Sequence, residues 1–127
     1  MAFAKNDPDD NKIIDNKSAA ALASTALADC TAITTIDYTD LAIHTTVTYN
    51  GAAILGGRVK LYASKDDGTN YDDDPFWSYD LPFTAGATKS YSQRVPFAQK
   101  RIKVQVTNLD TGQPITAIYA YYTGQSA

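Results

Sequence analysis

Residues 41–49, Leu-Ala-Ile-His-Thr-Thr-Val-Thr-Tyr, decide the fold class of this chain. Leu41, Ile43, Thr45, Val47 and Tyr49 stand at every second position, and smaller or more polar residues stand between them. Successive side chains of a β-strand point to opposite faces, so a period of two predicts a strand with one buried face. An Asn-Gly dipeptide follows, which is typical of a tight turn and ends the strand.

Similar strand patterns recur along the rest of the chain. Arg101 to Thr107 shows the alternation most clearly, with Ile102, Val104 and Val106 on one face. Pro82 interrupts one run and predicts an edge strand there, because proline cannot donate to the ladder. Turn-forming residues separate the predicted strands, which lie at 31–36, 41–49, 58–64, 76–83, 89–95, 101–107 and 115–123.

The composition also favours strands. The chain has no Glu and 14 Asp, and it contains 15 Thr and 9 Tyr. Asp competes with the helical backbone through its own hydrogen bonds, whereas Thr and Tyr suit a half-buried pleated surface. We therefore predict an all-β fold, a single antiparallel β-sandwich of the jelly-roll or immunoglobulin-like type with about 6–8 strands.

The 127 residues fit one domain preceded by a tail. We predict an N-terminal arm over residues 1–28 and a β-sandwich domain over residues 29–127. Residues 6–11 are charged and turn-forming, and the Ala-rich stretch at 18–28 leaves a short helix and an extended arm equally open. The arm carries three large apolar residues, Phe3, Ile13 and Ile14.

Charge and cysteine content bound the function classes. The net charge of −3 is too mild for nucleic-acid binding. Cys30 is the single cysteine, so no intramolecular disulfide forms, and a small buried thiol is the expected state. The first residues do not resemble a signal peptide, and no apolar run reaches membrane-spanning length. We expect synthesis in a cytoplasm without a signal peptide, and no contact with a membrane.

Catalytic and metal chemistry find little support in the sequence. His44 is the single histidine and lies in the middle of a predicted strand, so a thiol dyad with Cys30 depends wholly on the fold. One Cys and one His are too few for zinc. The Asp-rich loop at 66–74 leaves two interpretations, a loop held by Asx turns or a calcium site, and it does not fit the EF-hand pattern. We predict no enzyme, no cofactor and no metal.

Aromatic residues flank the Asp-rich loop. They are Tyr71, Phe76, Trp77 and Tyr79. Rings beside carboxylates can bind a glycan, because sugar CH groups stack on rings and Asp accepts hydroxyl hydrogens. A carbohydrate-binding or adhesin module is therefore one hypothesis. The other is that these rings anchor the core of a small sandwich.

Three runs carry a resemblance to a known group of proteins. They are Asp40-Leu-Ala-Ile-His-Thr-Thr-Val-Thr-Tyr49, Val59-Lys-Leu-Tyr-Ala-Ser-Lys-Asp-Asp-Gly-Thr-Asn-Tyr-Asp72 and Val104-Gln-Val-Thr-Asn-Leu-Asp-Thr-Gly112. Over residues 30–123 the chain resembles the small β-sandwich virion proteins of tailed bacteriophages, such as capsid decoration and other head- or tail-associated proteins. The resemblance implies a structural protein in the virion, present in many copies, without catalysis or cofactor, that contacts the major capsid or tail protein of the same particle.

Two groups of residues are candidates for those contacts. An arm with few apolar residues becomes ordered by laying them into grooves of a neighbour, which points to Phe3, Ile13 and Ile14. Tyrosine is enriched in contact patches, which points to Tyr119, Tyr121 and Tyr122. Exposed sheet edges also allow lateral pairing, so we expect a homo-oligomer on the assembly.

Overall fold

The structure is a computed structural model that describes residues 11–18, 21–35, 38–64, 70–96 and 101–126. These residues form nine β-strands and no helix. The strands are β1 (Lys12–Asn16), β2 (Leu27–Asp29), β3 (Ile33–Thr34), β4 (Tyr38–Tyr49), β5 (Gly57–Ala63), β6 (Trp77–Asp80), β7 (Thr88–Arg94), β8 (Arg101–Asn108) and β9 (Ile115–Ser126). The prediction of an antiparallel β-sandwich is confirmed.

Two antiparallel sheets make the sandwich. The four-stranded sheet has the order β1-β9-β4-β7, and the five-stranded sheet has the order β2-β8-β5-β6, with β3 also paired to β8. The two longest strands, β4 and β9, lie side by side in the first sheet, with Ile43 opposite Tyr122 and Val47 opposite Ile118. β6, which ends shortly before Pro82, is an edge strand, as the proline predicted.

The alternation seen in the sequence builds the core between the sheets. Ile43 and Val47 of β4 are buried, and they share the core with Ile102, Val104 and Val106 of β8. The residues between them on β4, including His44 and Thr46, are partly exposed. The inward positions of β4 and β8 are therefore those that the period of two predicted.

Parts of the predicted N-terminal arm belong to the sandwich. β1 pairs with β9, with Asp15 opposite Tyr119, and β2 pairs with β8. Ile13 is only 4% exposed and lies in the core cluster, and Leu22 is buried beside Ile115. Ile13 is therefore buried in the core of its own chain and does not need the groove of a neighbour. Phe3 lies outside the described residues.

The pairing of β1 was hidden in the sequence for a local reason. The register shifts between Lys12 and Ile14, so a bulge interrupts the alternation within a five-residue strand. Ile14 is half-buried and packs against the core cluster as well. The described part of residues 18–28 forms no helix, and Thr25 there has a φ of 56°. Of the two alternatives for this stretch, the described residues follow the extended one.

Ile13→Ala and Ile54→Ala form a matched pair that tests this placement. Removing a buried Ile side chain leaves a cavity, so Ile13→Ala should lower the free energy of unfolding by about 2–5 kcal/mol. Ile54 is 73% exposed, so the same change there should stay within about 0.5 kcal/mol. Urea unfolding followed by Trp77 fluorescence measures both, and equal effects would contradict the placement of Ile13 in the core.

Candidate functional site

A buried carboxylate organises one end of the sandwich. Asp110 lies in the β8–β9 connection and is only 2% exposed. Its Oδ2 accepts hydrogen bonds from the backbone N–H groups of Ile54 (2.6 Å) and Leu55 (3.0 Å). Its Oδ1 accepts from Gly112 and Gln113, both at 2.8 Å. These four donors favour the ionised form and lower the pKa of Asp110 to about 2.

Asn108, two residues earlier, ties a third stretch of chain to the same place. Its Nδ2 donates to the carbonyls of Leu22 (3.2 Å), Ala23 (3.2 Å) and Gln113 (2.9 Å). Its Oδ1 accepts from the backbone N–H of Asp110 at 3.0 Å. Asn108 is 1% exposed, so its carboxamide is satisfied by these bonds in place of water. The β4–β5 loop, the β8–β9 loop and the segment before β2 are held together by two adjacent polar side chains.

Three large aliphatic side chains are exposed at this end. We call Leu27, Ile54 and Leu55 the apolar tip; they are 55%, 73% and 45% exposed. Leu27 belongs to this end because the N–H of Asn108 donates to the carbonyl of Ala26, its neighbour. The backbone of Ile54 and Leu55 is fixed by Asp110, so their exposure is a property of an ordered loop. Exposed aliphatic side chains on an ordered loop are typical of a contact surface.

The apolar tip was missed in the sequence for a clear reason. Asp110 lies in the Asn-Leu-Asp-Thr-Gly run, which also fits an ordinary turn between two strands. Its partners Ile54 and Leu55 are more than fifty positions away in the chain. No local pattern reports such a contact. Ile54 and Leu55 themselves stand between Ala53 and Gly56, where nothing distinguishes a tip residue from a core residue.

The outward side of the four-stranded sheet is rich in hydroxyl groups. We call it the hydroxyl face, and it is formed by Ala42, His44, Thr46, Thr48, Thr88, Ser90, Ser92, Tyr119, Tyr121 and Thr123. Hydroxyl pairs link β4 to β7 across it, Thr46 to Ser90 and Thr48 to Thr88, each at 2.9 Å. These cross-strand bonds hold the side chains in fixed positions.

His44 lies in the middle of the hydroxyl face and joins three strands. Its Nδ1 is 2.7 Å from Ser92 Oγ on β7, and its Nε2 is 2.8 Å from Thr123 Oγ1 on β9. The imidazole stacks on the ring of Tyr121, with 4.7 Å between centroids and 19° between planes. Partial burial lowers the pKa of His44 below its ordinary value.

The distance between Ser92 Oγ and His44 Nδ1 is that of a serine nucleophile and its general base, but the other groups of a catalytic triad are not arranged around them. A hydrolytic triad places a carboxylate on the second ring nitrogen, and here that nitrogen faces Thr123. The thiol dyad considered from the sequence does not form either, because Cys30 is buried in the core while His44 is on the outer face. Burial raises the pKa of the Cys30 thiol to about 12.

The three tyrosines predicted as one contact patch are divided between two faces. Tyr119 and Tyr121 are on the hydroxyl face, with ring centroids 5.9 Å apart. Tyr122 points to the opposite side and meets the edge of Tyr38 at 6.0 Å. Its half-buried position raises the pKa of Tyr122 to about 12. Adjacent residues of a strand point to opposite faces, so Tyr121 and Tyr122 do not lie on one surface.

A shallow depression of about 130 Å³ lies beside the hydroxyl face. Arg94 closes one side of it by donating to both carboxylate oxygens of Asp40, from Nε at 3.2 Å and from Nη2 at 2.8 Å. Thr123, which binds His44, lines the other side. The residues around it are Asp40, Leu41, Ala42, Arg94, Thr123, Gly124 and Gln125. The arrangement offers an ion pair, a hydroxyl, an amide and a nearby stacked ring.

The predicted glycan platform around Trp77 is not one surface. Trp77 contacts Tyr79 at 5.3 Å between centroids, and Tyr79 contacts Tyr91 of the other sheet at 6.0 Å, so these rings close the gap between the sheets. Burial raises the pKa of Tyr79. Phe76 packs against the core, whereas Tyr71 lies near Lys103, whose Nζ is 5.3 Å from its ring centroid. Phe76, Trp77 and Tyr79 are partly buried and pack against the core.

The Asp-rich loop is only partly described. Asp72, Asp73 and Asp74 are exposed, while residues 65–69, with Asp66 and Asp67, lie outside the described residues. Within the described ranges no group of three or more His, Cys, Asp or Glu side chains is placed to hold a metal ion. The same ranges contain no helix long and apolar enough to cross a membrane.

Neither the protein-family models nor the curated proteins give a match to this sequence. Among solved structures, the chain is similar to a family 35 carbohydrate-binding module from an environmental isolate, with 11% identity, a TM-score of 0.47, and coverage of 100% of this chain and 99% of the other. It is also similar to dimeric latent PorU from Porphyromonas gingivalis, with 9% identity and a TM-score of 0.48. That match covers 99% of this chain and 14% of PorU. These similarities are too weak to carry a functional argument, and the fold class rests on the two sheets themselves.

Asp110→Asn tests the carboxylate that organises the apolar tip. A depressed pKa means that the ionised form stabilises the fold; this contribution is complete above the ordinary value of 3.8 and is lost as the pH falls towards about 2. We expect the variant to melt at a lower temperature at pH 7 and to lose less stability than the wild type between pH 4 and pH 2. Circular dichroism melts measure both effects. Asp73→Asn, at an exposed position, is the control and should keep the wild-type acid response.

Proposed function

We propose that this chain is a non-enzymatic structural protein of a tailed-phage virion, a decoration, cement or other accessory protein that attaches to the capsid or tail through its apolar tip. One observation carries the proposal. The carboxylate of Asp110 accepts four backbone N–H hydrogen bonds, two of them from Ile54 and Leu55, whose side chains are exposed. The resemblance over residues 30–123 supplies the kind of particle.

The energetics favour a protein partner at the tip. Transferring an exposed Ile or Leu side chain into an apolar pocket contributes about 1.5–3 kcal/mol each. Association usually costs side-chain and loop ordering, and the fixed backbone of Ile54 and Leu55 lowers the loop part of that cost. A net charge of −3 gives little electrostatic steering, so contact by shape and apolar burial suits this chain better than charge attraction.

Co-sedimentation with phage particles tests the proposal. The wild-type protein should pellet with the tailed-phage particles of its own source, and Ile54→Ser/Leu55→Ser should pellet at least about tenfold less, because two buried aliphatic contacts are lost. Tyr119→Ser, on the hydroxyl face, is the matched control and should behave like the wild type. Melting curves establish that each variant is folded.

Three outcomes would each overturn a part of the proposal. If the wild type fails to pellet with whole particles, with empty shells and with isolated tails, the assignment to the virion is wrong. If the wild type and the double variant pellet equally, the protein attaches by a different surface. If Tyr119→Ser alone is lost from the pellet, the attachment surface is the hydroxyl face.

A second candidate function is glycan binding on the hydroxyl face. The observation that favours it is the depression between the Arg94–Asp40 ion pair and Thr123, next to the stacked His44 and Tyr121. Carboxylate, guanidinium, amide and hydroxyl groups can each bond to sugar hydroxyls, and a ring nearby can pack against sugar CH groups. This site differs from the one predicted around Trp77, whose ring lies between the sheets.

A glycan array with three proteins separates the two candidate sites. If the protein binds glycans on the hydroxyl face, the wild type and Trp77→Phe should bind the same sugars, and Tyr121→Ala should lose about tenfold or more in affinity. Trp77→Phe preserves an aromatic core residue and serves as the control. Loss of binding by Trp77→Phe alone would return the site to the Trp77 region, and an array on which the wild type binds nothing would exclude this function.

A further inference from the structure

We propose that two copies of this chain pair through β7 in antiparallel register, so that two four-stranded sheets join into one continuous eight-stranded sheet across a two-fold axis. The inference goes beyond attachment at the apolar tip. It concerns an edge strand of the four-stranded sheet, and the occupant is a second copy of this chain. It rests on the geometry of β7 and on the state of the other sheet edges.

β7 is an edge strand with a regular backbone. Within the described residues it pairs only with β4, over seven consecutive positions and without a shift in register. It contains no proline and no glycine. A long, flat edge with unpaired N–H and C=O groups is a template for strand addition unless it is covered.

The hydrogen bonds at the two ends of the β4–β7 ladder show which backbone groups remain for a partner. The N–H of Tyr49 donates to the carbonyl of Ala87 (3.1 Å), and the N–H of Val95 donates to the carbonyl of Leu41 (3.0 Å). Since the direction alternates along a strand, the odd-numbered residues of β7 bond to β4. The even-numbered residues point their backbone groups to the free edge; they are Thr88, Ser90, Ser92 and Arg94.

The remaining edges are shorter or interrupted. β1 carries a bulge and two exposed lysines, Lys12 and Lys17, at its ends. β6 has four residues and is followed closely by Pro82. β2 and β3, which share one edge of β8, have three and two residues. Bulges, lysines, prolines and short strands are the usual means of blunting an edge. β7 has seven residues, pairs without a shift in register and contains Lys89 as its one lysine, and Pro96 follows it as closely as Pro82 follows β6.

Self-pairing of β7 around Tyr91 is free of charge conflict. With Tyr91 on the two-fold axis, Ser90 lies opposite Ser92 of the other copy, Lys89 opposite Gln93 and Thr88 opposite Arg94. Neither of the two cationic residues faces another cation, so no like charges oppose each other directly. Tyr91 is 37% exposed and would meet its own copy as an aromatic pair.

This register also agrees with the backbone directions. Ser90 and Ser92 have free backbone groups and form the hydrogen-bonded pair, and Tyr91, whose groups bond to β4, forms the non-hydrogen-bonded pair. Gln93 Nε2 already donates to the carbonyl of Arg94 at 3.0 Å, which centres the new ladder on the serines. The side chains of Ser90 and Ser92 lie on the hydroxyl face, so that face would run unbroken from one copy to the other.

The first test compares Ser90→Pro with Ser90→Ala. Both remove the hydroxyl that binds Thr46, but only proline removes the N–H that points to the free edge. We expect analytical ultracentrifugation to show a concentration-dependent dimer for the wild type and for Ser90→Ala. The dimer dissociation constant of Ser90→Pro should be at least about tenfold higher, since two edge hydrogen bonds are lost per dimer.

The second test does not depend on the proline variant folding. In a non-hydrogen-bonded antiparallel pair the Cβ atoms are about 4.5–5.5 Å apart, close to the span of a disulfide. Tyr91→Cys should therefore form a covalent dimer under mild oxidation at concentrations where Thr84→Cys, in an exposed loop, stays monomeric. Cys30 is buried in all three proteins, so the wild type is the background control.

The outcomes distinguish this inference from the attachment proposal. A wild type that stays monomeric up to about millimolar concentration, with equal cross-linking at positions 91 and 84, overturns the β7 dimer. A dimer that forms equally in the wild type and in folded Ser90→Pro overturns it too, since the edge is then not the interface. Neither result bears on pelleting with particles through Ile54 and Leu55, which the tip variants test alone.

Discussion

The carboxamide of Asn108 and the carboxylate of Asp110 form the buried polar centre on which one end of this sandwich depends. Between them they bond to six backbone groups of two loops and to two carbonyls of the chain before β2. A buried polar group is costly unless it is paired, so these side chains specify the loop conformations as well as stabilise them. The exposed Ile54 and Leu55 are a consequence, because their backbone is committed to Asp110 and their side chains are left facing water.

Much of the fold follows from local pattern. The period of two at 41–49 and at 101–107 places the buried residues of β4 and β8 correctly, because both strands have one face to the core and one face outward. β1 does not follow from pattern, since a bulge breaks the alternation within five residues. Its core contribution through Ile13 depends on β9, which lies about a hundred residues later in the sequence.

The candidate site was less accessible from the sequence than the fold. Clustering of aromatic residues in the sequence suggested a platform at Trp77 and a patch at Tyr119–Tyr122. Trp77 and Tyr79 share one face of β6 and lie between the sheets, whereas Tyr121 and Tyr122 point to opposite faces of β9. The sequence distinguished His44 only as the single histidine of the chain. The structure places it at the centre of the hydroxyl face, between Ser92 and Thr123. The partners of Asp110 are remote in sequence, and neither composition nor spacing carries information about them.

The position of β9 has a consequence for how the chain folds. β9 is the last described strand, and it lies in the interior of its sheet, between β1 at the beginning of the described chain and β4 in its middle. Neither neighbour gains its main partner until residues 115–126 have been synthesised, so the four-stranded sheet cannot assemble before that point. Assembly of this sheet is dominated by contacts between remote segments, which is the slow regime for small β proteins. Until then Ile43 and Val47 lack their β9 partners, and such exposed apolar residues can aggregate with other chains.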